Sequence, residues 1–235
     1  GTASDNIVDG GTGADTFYTG DGSDTIVLRV GDGGSTLAAA DTITDFTDGT
    51  DVLGLDDDLL YSDLEIAQSG SDTVISITSS SEYLAVLTGI SASNINYFDF
   101  ASMATGNQSF TGTTGDDVFI GAAGIDTVTT NTGTDVILTS SGDDVITIDG
   151  AGDKTIDGGA GTDSIAINLS GHTSLTDFGI SYASDTFTFT DKSSNTISLK
   201  NLETYSIGSN SYVQWSDSSI NSSDGGASNS FWGAT

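Results

Sequence analysis

In two blocks of this chain aspartate recurs mostly at nine-residue intervals, each time two residues before an apolar side chain. The unit is Gly-Gly-x-Gly-x-Asp-x-apolar-x. Three copies open the chain and six near-copies run from Gly112 to Ala166. The cleanest are GGTGADTFY (10–18) and GGAGTDSIA (158–166). The sixth position holds Asn6, Asp15 and Asp24 in the first block. In the second it holds Asp117, Asp126, Asp135 and Asp144, and then Asp163. Short carboxylates suit tight turns, and their hard oxygens suit calcium. Glycines at positions one, two and four allow backbone angles closed to other residues. They bend the chain into a loop whose carbonyls converge. Gly11, Gly13, Gly20, Gly22, Gly115, Gly124, Gly133, Gly142, Gly159 and Gly161 are therefore expected to shape cation-binding turns.

Such turns need elements that stack them. The apolar residue at position eight sits on a very short strand and faces inward. Examples are Val8, Phe17 and Ile26, then Phe119, Val128, Ile137 and Ile146. Two phrases make one coil of a flattened parallel β-helix, so each loop lies over the loop two phrases earlier. That logic pairs Asn6 with Asp24, Asp117 with Asp135, and Asp126 with Asp144. Lys154 stands where Asp belongs in DGAGDKTID (149–157). Its ammonium is expected beside Asp135, in place of an ion. Ile148 is one residue extra and is expected to disturb the pairing of Asp144 with Asp163.

Between and after the repeats the pattern changes to alternation. LEIAQ (64–68), DTVISIT (72–78) and EYLAVLTGI (82–90) read as antiparallel strands with Ser/Gly turns. DTFTFTD (185–191), NTISLKNLETYSI (195–207) and SYVQW (211–215) read likewise. The expected fold is all-β: two tandem calcium-binding parallel β-rolls, each followed by a small antiparallel cap. The first module spans 1–103 and the second 104–215. Residues 216–235 form a Ser/Asn/Gly-rich C-terminal tail, read as flexible apart from the apolar pair Phe231-Trp232. Helical turns are expected only around Asp57–Leu64 and Ser91–Tyr97.

GGTGADTFY followed by AAADTITDFTDGTDVLGL resembles the C-terminal roll of the RTX, or haemolysin-type calcium-binding, family. The resemblance implies that Asp41, Asp45 and Asp51 help close the last calcium sites of the first roll. It also implies type I secretion with an uncleaved C-terminal signal, and a chain kept unfolded in the low-calcium cytoplasm. The Ser-rich end with FWGAT departs from the family pattern. The family includes proteases, lipases, toxins, adhesins and surface-layer proteins, so it does not fix one activity.

Composition narrows the choice. There are 34 acidic residues against four basic ones, Arg29, Lys154, Lys192 and Lys200, for a net charge of −30. Either divalent cations neutralise the Asp rows, or the surface is acidic for solubility in salty water; the register of the Asp residues favours the first. No basic patch serves nucleic acid. The chain has no cysteine, which excludes disulfides and thiolate sites. No apolar run is long enough to span a membrane. No signal peptide is visible, and Gly1 reads as the start of a processed chain or of a piece. His172 lacks any accompanying nucleophile or zinc phrase and reads as a loop residue. Asp56-Asp57-Asp58 read as a solvated helix start or a peripheral cation site rather than glycosidase acids. Tyr61, Tyr83, Tyr97 and Trp215 read as packing residues; a sugar-stacking surface including Trp232 is the alternative, with a surface polysaccharide as partner. The expected function is not enzymatic. It is that of a secreted, extracellular calcium-binding structural protein of a cell-surface layer, matrix or filament, self-associating head to tail. The alternative is a calcium-dependent secretion, folding or adhesion module of a larger type I-secreted enzyme or adhesin.

Overall fold

The structure is a computed structural model that describes residues 3–56, 59–216, 219–222 and 231–232. It divides into two units, Gly1–Ala104 and Thr105–Thr235. Among the described residues all regular elements are strands except four single 3-10 turns, Leu37–Ala39, Tyr61–Asp63, Tyr97–Asp99 and Leu175–Asp177. Two of these fall where the sequence suggests helical turns.

The first unit contains β1 (Ile7–Val8), β2 (Thr16–Phe17), β3 (Thr25–Leu28), β4 (Asp41–Ile43), β5 (Val52–Leu55), β6 (Leu64–Ser69), β7 (Asp72–Ile77), β8 (Glu82–Leu87) and β9 (Phe100–Ser102). One sheet has the order β1-β3-β5-β9 and is wholly parallel. The other has the order β2-β4-β8-β7-β6. Strands up to β5 alternate between the two sheets, as a flattened coil requires. Ile7 lies opposite Thr25, so the first coil takes two nine-residue phrases. Later coils are longer in sequence because loops and a hairpin are inserted: Thr16 lies opposite Thr42, and Asp41 opposite Ala85. Inward residues Ile26, Ile43, Leu53 and Leu87 are fully buried.

The second unit contains β10 (Ser109–Thr111), β11 (Val118–Ile120), β12 (Thr127–Thr130), β13 (Asp135–Leu138), β14 (Val145–Ile148), β15 (Lys154–Asp157), β16 (Ser164–Ile167), β17 (Gly179–Ala183), β18 (Thr186–Thr190), β19 (Thr196–Lys200), β20 (Thr204–Ile207), β21 (Asn210–Ser216), β22 (Ser219–Ser222) and β23 (Phe231–Trp232). Its sheets run β10-β12-β14-β16-β20-β21-β22-β23 and β11-β13-β15-β19-β18-β17. Position-eight residues Val128, Ile137, Ile146, Ile156 and Ile165 form an inner row that is closed to solvent. Each such side chain contributes about 1.5–3 kcal/mol by leaving water. That row explains how a chain only 35% apolar still has a core.

Three expectations need correction. First, the alternating segments pair antiparallel as expected, but one segment of each set also joins the coil. β8 pairs antiparallel with β7 but parallel with β4. β19 and β20 likewise pair parallel with β15 and β16. These strands are further rungs of the coil, and the antiparallel strands grow from their edges. Second, the Ile148 insertion does not break the stack. Offsets lengthen from 18 to 19 residues, and Val145 still faces Ser164 in register. Third, the segment read as a flexible tail carries strands: β22 pairs with β21, and Phe231–Trp232 pairs with β22. The remainder of 216–235 beyond these strands and Ser216, together with Asp57 and Asp58, lies outside the described residues.

Candidate calcium sites in the stacked turns

Parallel strands in register place the turns before them one above another. Position-four glycines make that stacking possible. Gly133 and Gly142 adopt φ of 132° and 139°. A β-carbon on either would also collide with the carbonyl of the glycine one coil below, Gly115 and Gly124 respectively. Both the angle and the space exclude a side chain. Gly161 lies over Gly142 in the same way. Gly11, Gly13, Gly20, Gly22 and Gly159 also have positive φ, as their turn positions require.

The position-six side chains tie the stacked turns together. Asn6 N–H donates to Asp24 Oδ1 at 2.8 Å, and Asp24 N–H to Asp51 Oδ1 at 3.0 Å. On the other edge of the first unit, Asp15 N–H donates to Asp41 Oδ1 at 2.8 Å. Asp45 accepts from the N–H groups of Thr19 and Gly20, at 2.9 and 2.8 Å. In the second unit Asp117 N–H donates to Asp135 Oδ1 at 3.1 Å. The opposite edge is a longer ladder. Gln108 donates its N–H to Asp126, Asp126 to Asp144, and Asp144 to Asp163, at 2.7, 2.7 and 2.8 Å. It ends with Asp163 N–H donating to Glu203 Oε2 at 2.7 Å. The expected pairs are therefore all brought together.

Sequence reasoning missed two members, Gln108 and Glu203. Gln108 is position six of a degenerate phrase, MATGNQSFT (103–111), signalled by Gly106 and Phe110 at positions four and eight. Glu203 precedes β20 without any glycine turn, so nothing local marks it. A second ladder was also missed. Position-five Asp116, Asp143 and Asp153 accept N–H bonds from Thr134, Thr162 and Thr196 of the coil above.

Asp24, Asp41, Asp51, Asp126, Asp135, Asp144 and Asp163 are buried, Asp15, Asp45, Asp117 and Glu203 are half-buried, and the position-five Asp116, Asp143 and Asp153 are exposed. Asp24, Asp126 and Asp163 have no exposed surface. Burial pushes the Asp163 carboxyl up to about 6, opposed by its bond from Asp144 and reinforced by the charges of Asp144, Glu203 and Asp143. Burial likewise pushes Asp41 up to about 6, and raises Asp126. One oxygen each of Asp24, Asp144 and Asp163 is buried without a hydrogen-bond partner. Leaving such an oxygen unmatched costs about 1–3 kcal/mol, and more when it is charged. The side-chain donors are carboxylates apart from the Asn6 carboxamide, all hard oxygens, which fits a hard cation of flexible coordination. Among the described residues no three His, Cys, Asp or Glu side chains gather at one point.

One rung differs. Lys154 Nζ lies 3.1 Å from Asp135 Oδ2 and donates to Gly133 O at 2.6 Å, with its side chain wholly buried. Burial raises the Asp135 carboxyl, and the Lys154 ammonium opposes the shift. Here the ladder carries a covalently attached cation. A second one is Arg29, whose guanidinium grips Asp9 of the coil before at 2.7 Å and Asp56 of the coil after at 2.9 Å.

The other candidates are structurally ordinary. His172 stacks on Phe178 at 4.8 Å, with Nδ1 facing Ser170 O. Tyr61 packs edge-on against Phe100 at 5.0 Å, and Tyr97 lies tilted against Phe98 at 4.6 Å. The side chains of Trp215 and Trp232 lie outside the described ones.

A family model described as the RTX calcium-binding nonapeptide repeat matches in four copies, over residues 1–34 and 111–146. The chain thus carries RTX repeats, and these bind calcium. Curated proteins gave no match. Among solved structures, the extracellular lipase LipA from Serratia marcescens is similar at 15% identity with a TM-score of 0.27. The match covers 86% of this chain and 37% of the lipase, so the chain spans little more than a third of that protein's length. No helix among the described residues is long and apolar enough to cross a membrane.

Proposed function

We propose that these calcium-binding RTX repeats make the chain an extracellular structural protein that folds on meeting calcium. On this reading it forms two tandem calcium-stapled β-rolls, extended by antiparallel strands. The observation that carries it is the row of buried position-six carboxylates with unmatched oxygens. The ligands are Asn6, Asp15, Asp24, Asp41, Asp45 and Asp51 in the first unit. In the second they are Asp117, Asp126, Asp135, Asp144 and Asp163. Glycine-turn carbonyls complete each site. Without calcium the buried carboxylates repel, so binding free energy becomes folding free energy. A chain that stays unfolded where calcium is scarce suits type I export and use at the cell surface, in a layer, matrix or filament. The two ends of a parallel ladder are unlike, so contacts between copies would be head to tail. We read the chain as non-enzymatic, since no nucleophile or zinc-binding phrase accompanies its single histidine.

The second reading is a secretion, folding or adhesion module of a larger secreted protein. It is favoured by the repeats themselves, which the resembling family uses as parts of many different proteins.

Circular dichroism in calcium and in EGTA tests the calcium claim. The β signal is expected to collapse on chelation. Asp126→Ala is expected to raise the calcium midpoint of the second unit's folding at least tenfold, about 1.4 kcal/mol. An unchanged midpoint removes Asp126 from the ligand set. Light scattering in millimolar calcium tests assembly: a persistent monomer favours the module reading.

A further inference from the structure

We propose that Glu203 closes an additional calcium site with Asp163, one that no nonapeptide phrase encodes, and that its ion joins the repeat coil to the strands beyond the β17–β18 hairpin. The inference rests on the calcium reading above. The two residues are 40 positions apart, yet Glu203 stands to Asp163 as Asp163 stands to Asp144. Each lies one rung up and accepts the N–H of the rung below, at 2.7 and 2.8 Å. The strands that follow them are in parallel register, Ser164 opposite Thr204. Glu203 therefore occupies position six of a rung whose turn has lost every glycine.

Two further observations point to a ligand in that gap. Asp163 has no exposed surface, and its Oδ2 has no hydrogen-bond partner. Gly158, at position one of the same phrase, lets the two turns approach closely on the side that Asp163 Oδ2 faces. A β-carbon there would lie 2.7 Å from Asp163 Oδ2 and would collide with Asn201 O of the next rung. A carboxylate oxygen and a main-chain carbonyl from adjacent coils thus converge beside Gly158. Glu203 adds a second carboxylate at its margin. Oxygens alone, from two stacked turns, are what a calcium ion takes.

The opposite edge lacks this device. There position six runs Asp117, Asp135, Lys154 and then Ile197, in register. An amine serves as the cation on one edge, and Glu203 extends the ion ladder on the other.

Calcium stoichiometry and affinity of the full chain, by isothermal titration and equilibrium dialysis, test the site. Glu203→Gln keeps an oxygen able to accept from Asp163 N–H but removes the charge. It is expected to bind one calcium fewer, or to bind one at least tenfold more weakly, with the remaining sites unchanged. Wild-type stoichiometry and affinity in Glu203→Gln overturn the site. Should that variant not fold at saturating calcium, Glu203→Lys imitates the Lys154 rung and is expected to fold with one ion fewer. A Glu203→Lys chain that retains the full calcium count overturns the proposal equally. Failure of the wild type to bind any calcium would instead sink the calcium reading itself.

Discussion

At the scale of single residues, Lys154 and Asp163 show the same electrostatic problem with different solutions. Both sit at position six of their phrases, and both are buried. Asp163 presents an unmatched anionic oxygen. Lys154 presents the cation that satisfies Asp135. Removing one partner of a buried ion pair strands the other, at a cost of about 3–5 kcal/mol. Lys154→Ala is therefore expected to lose about that much stability in urea unfolding, even at saturating calcium. A loss below 1 kcal/mol would mean water already relieves Asp135. The raised carboxyls make a pH prediction of definite sign. In the calcium-free fold Asp41 and Asp163 bind protons more tightly than the ordinary value of 3.8, near 6 in each case. Their contribution is fully present below about 3.8 and is lost as pH rises through about 6. Calcium-free protein is thus expected to gain β signal as pH falls from 7 to 5. A flat signal across that range would show that these two carboxyls do not limit the metal-free fold.

At the scale of elements, the repeating phrase is legible because its chemistry is local. Glycine, aspartate and the inward apolar residue all act within nine positions, so the coil, the stacking order and the paired carboxylates follow from spacing. What is not legible is where the coil stops. EYLAVL and TISLK alternate in the same way whether they pair parallel or antiparallel. A period of two reports a buried face, not a partner. Only the fold shows that β8, β19 and β20 are rungs. Glu203 was hidden for the same reason, since its site is defined by a strand that returns after a hairpin. The register corrected the effect of Ile148 because a coil can lengthen by one residue at a turn while its strands stay aligned. Close stacking of glycines leaves less tolerance. Gly142→Ala puts a methyl group against Gly124 O and forces φ of 139° on an L residue. It is expected to destabilise the second unit by at least about 1–3 kcal/mol, read as a fall in its thermal midpoint in calcium. An unchanged midpoint would show that adjacent turns can separate freely.

At the scale of the whole molecule, charge decides the conditions of folding. Against a net charge of −30 there are four basic side chains, and each meets a carboxylate within 3.5 Å. The remaining acidic groups have no protein cation to balance them. Monovalent salt shortens the range of repulsion to about 10 Å at 0.1 M, but it does not coordinate a buried oxygen. Sodium chloride at 0.5 M is therefore expected to leave the calcium-free chain without its full β signal, while millimolar calcium restores it. Full recovery in sodium chloride alone would favour the view that acidity serves solubility only. The coil also has a geometric property with practical use. The hairpin of β17 and β18 is inserted in the sequence before β19, yet it packs at the edge of the sheet and leaves β15 and β19 paired in register, and its tip at Ser184 and Asp185 already adopts a left-handed turn. Foreign peptides spliced into that tip would be presented on a scaffold whose assembly is switched by a simple ion, which makes the molecule a candidate platform for reversible epitope display.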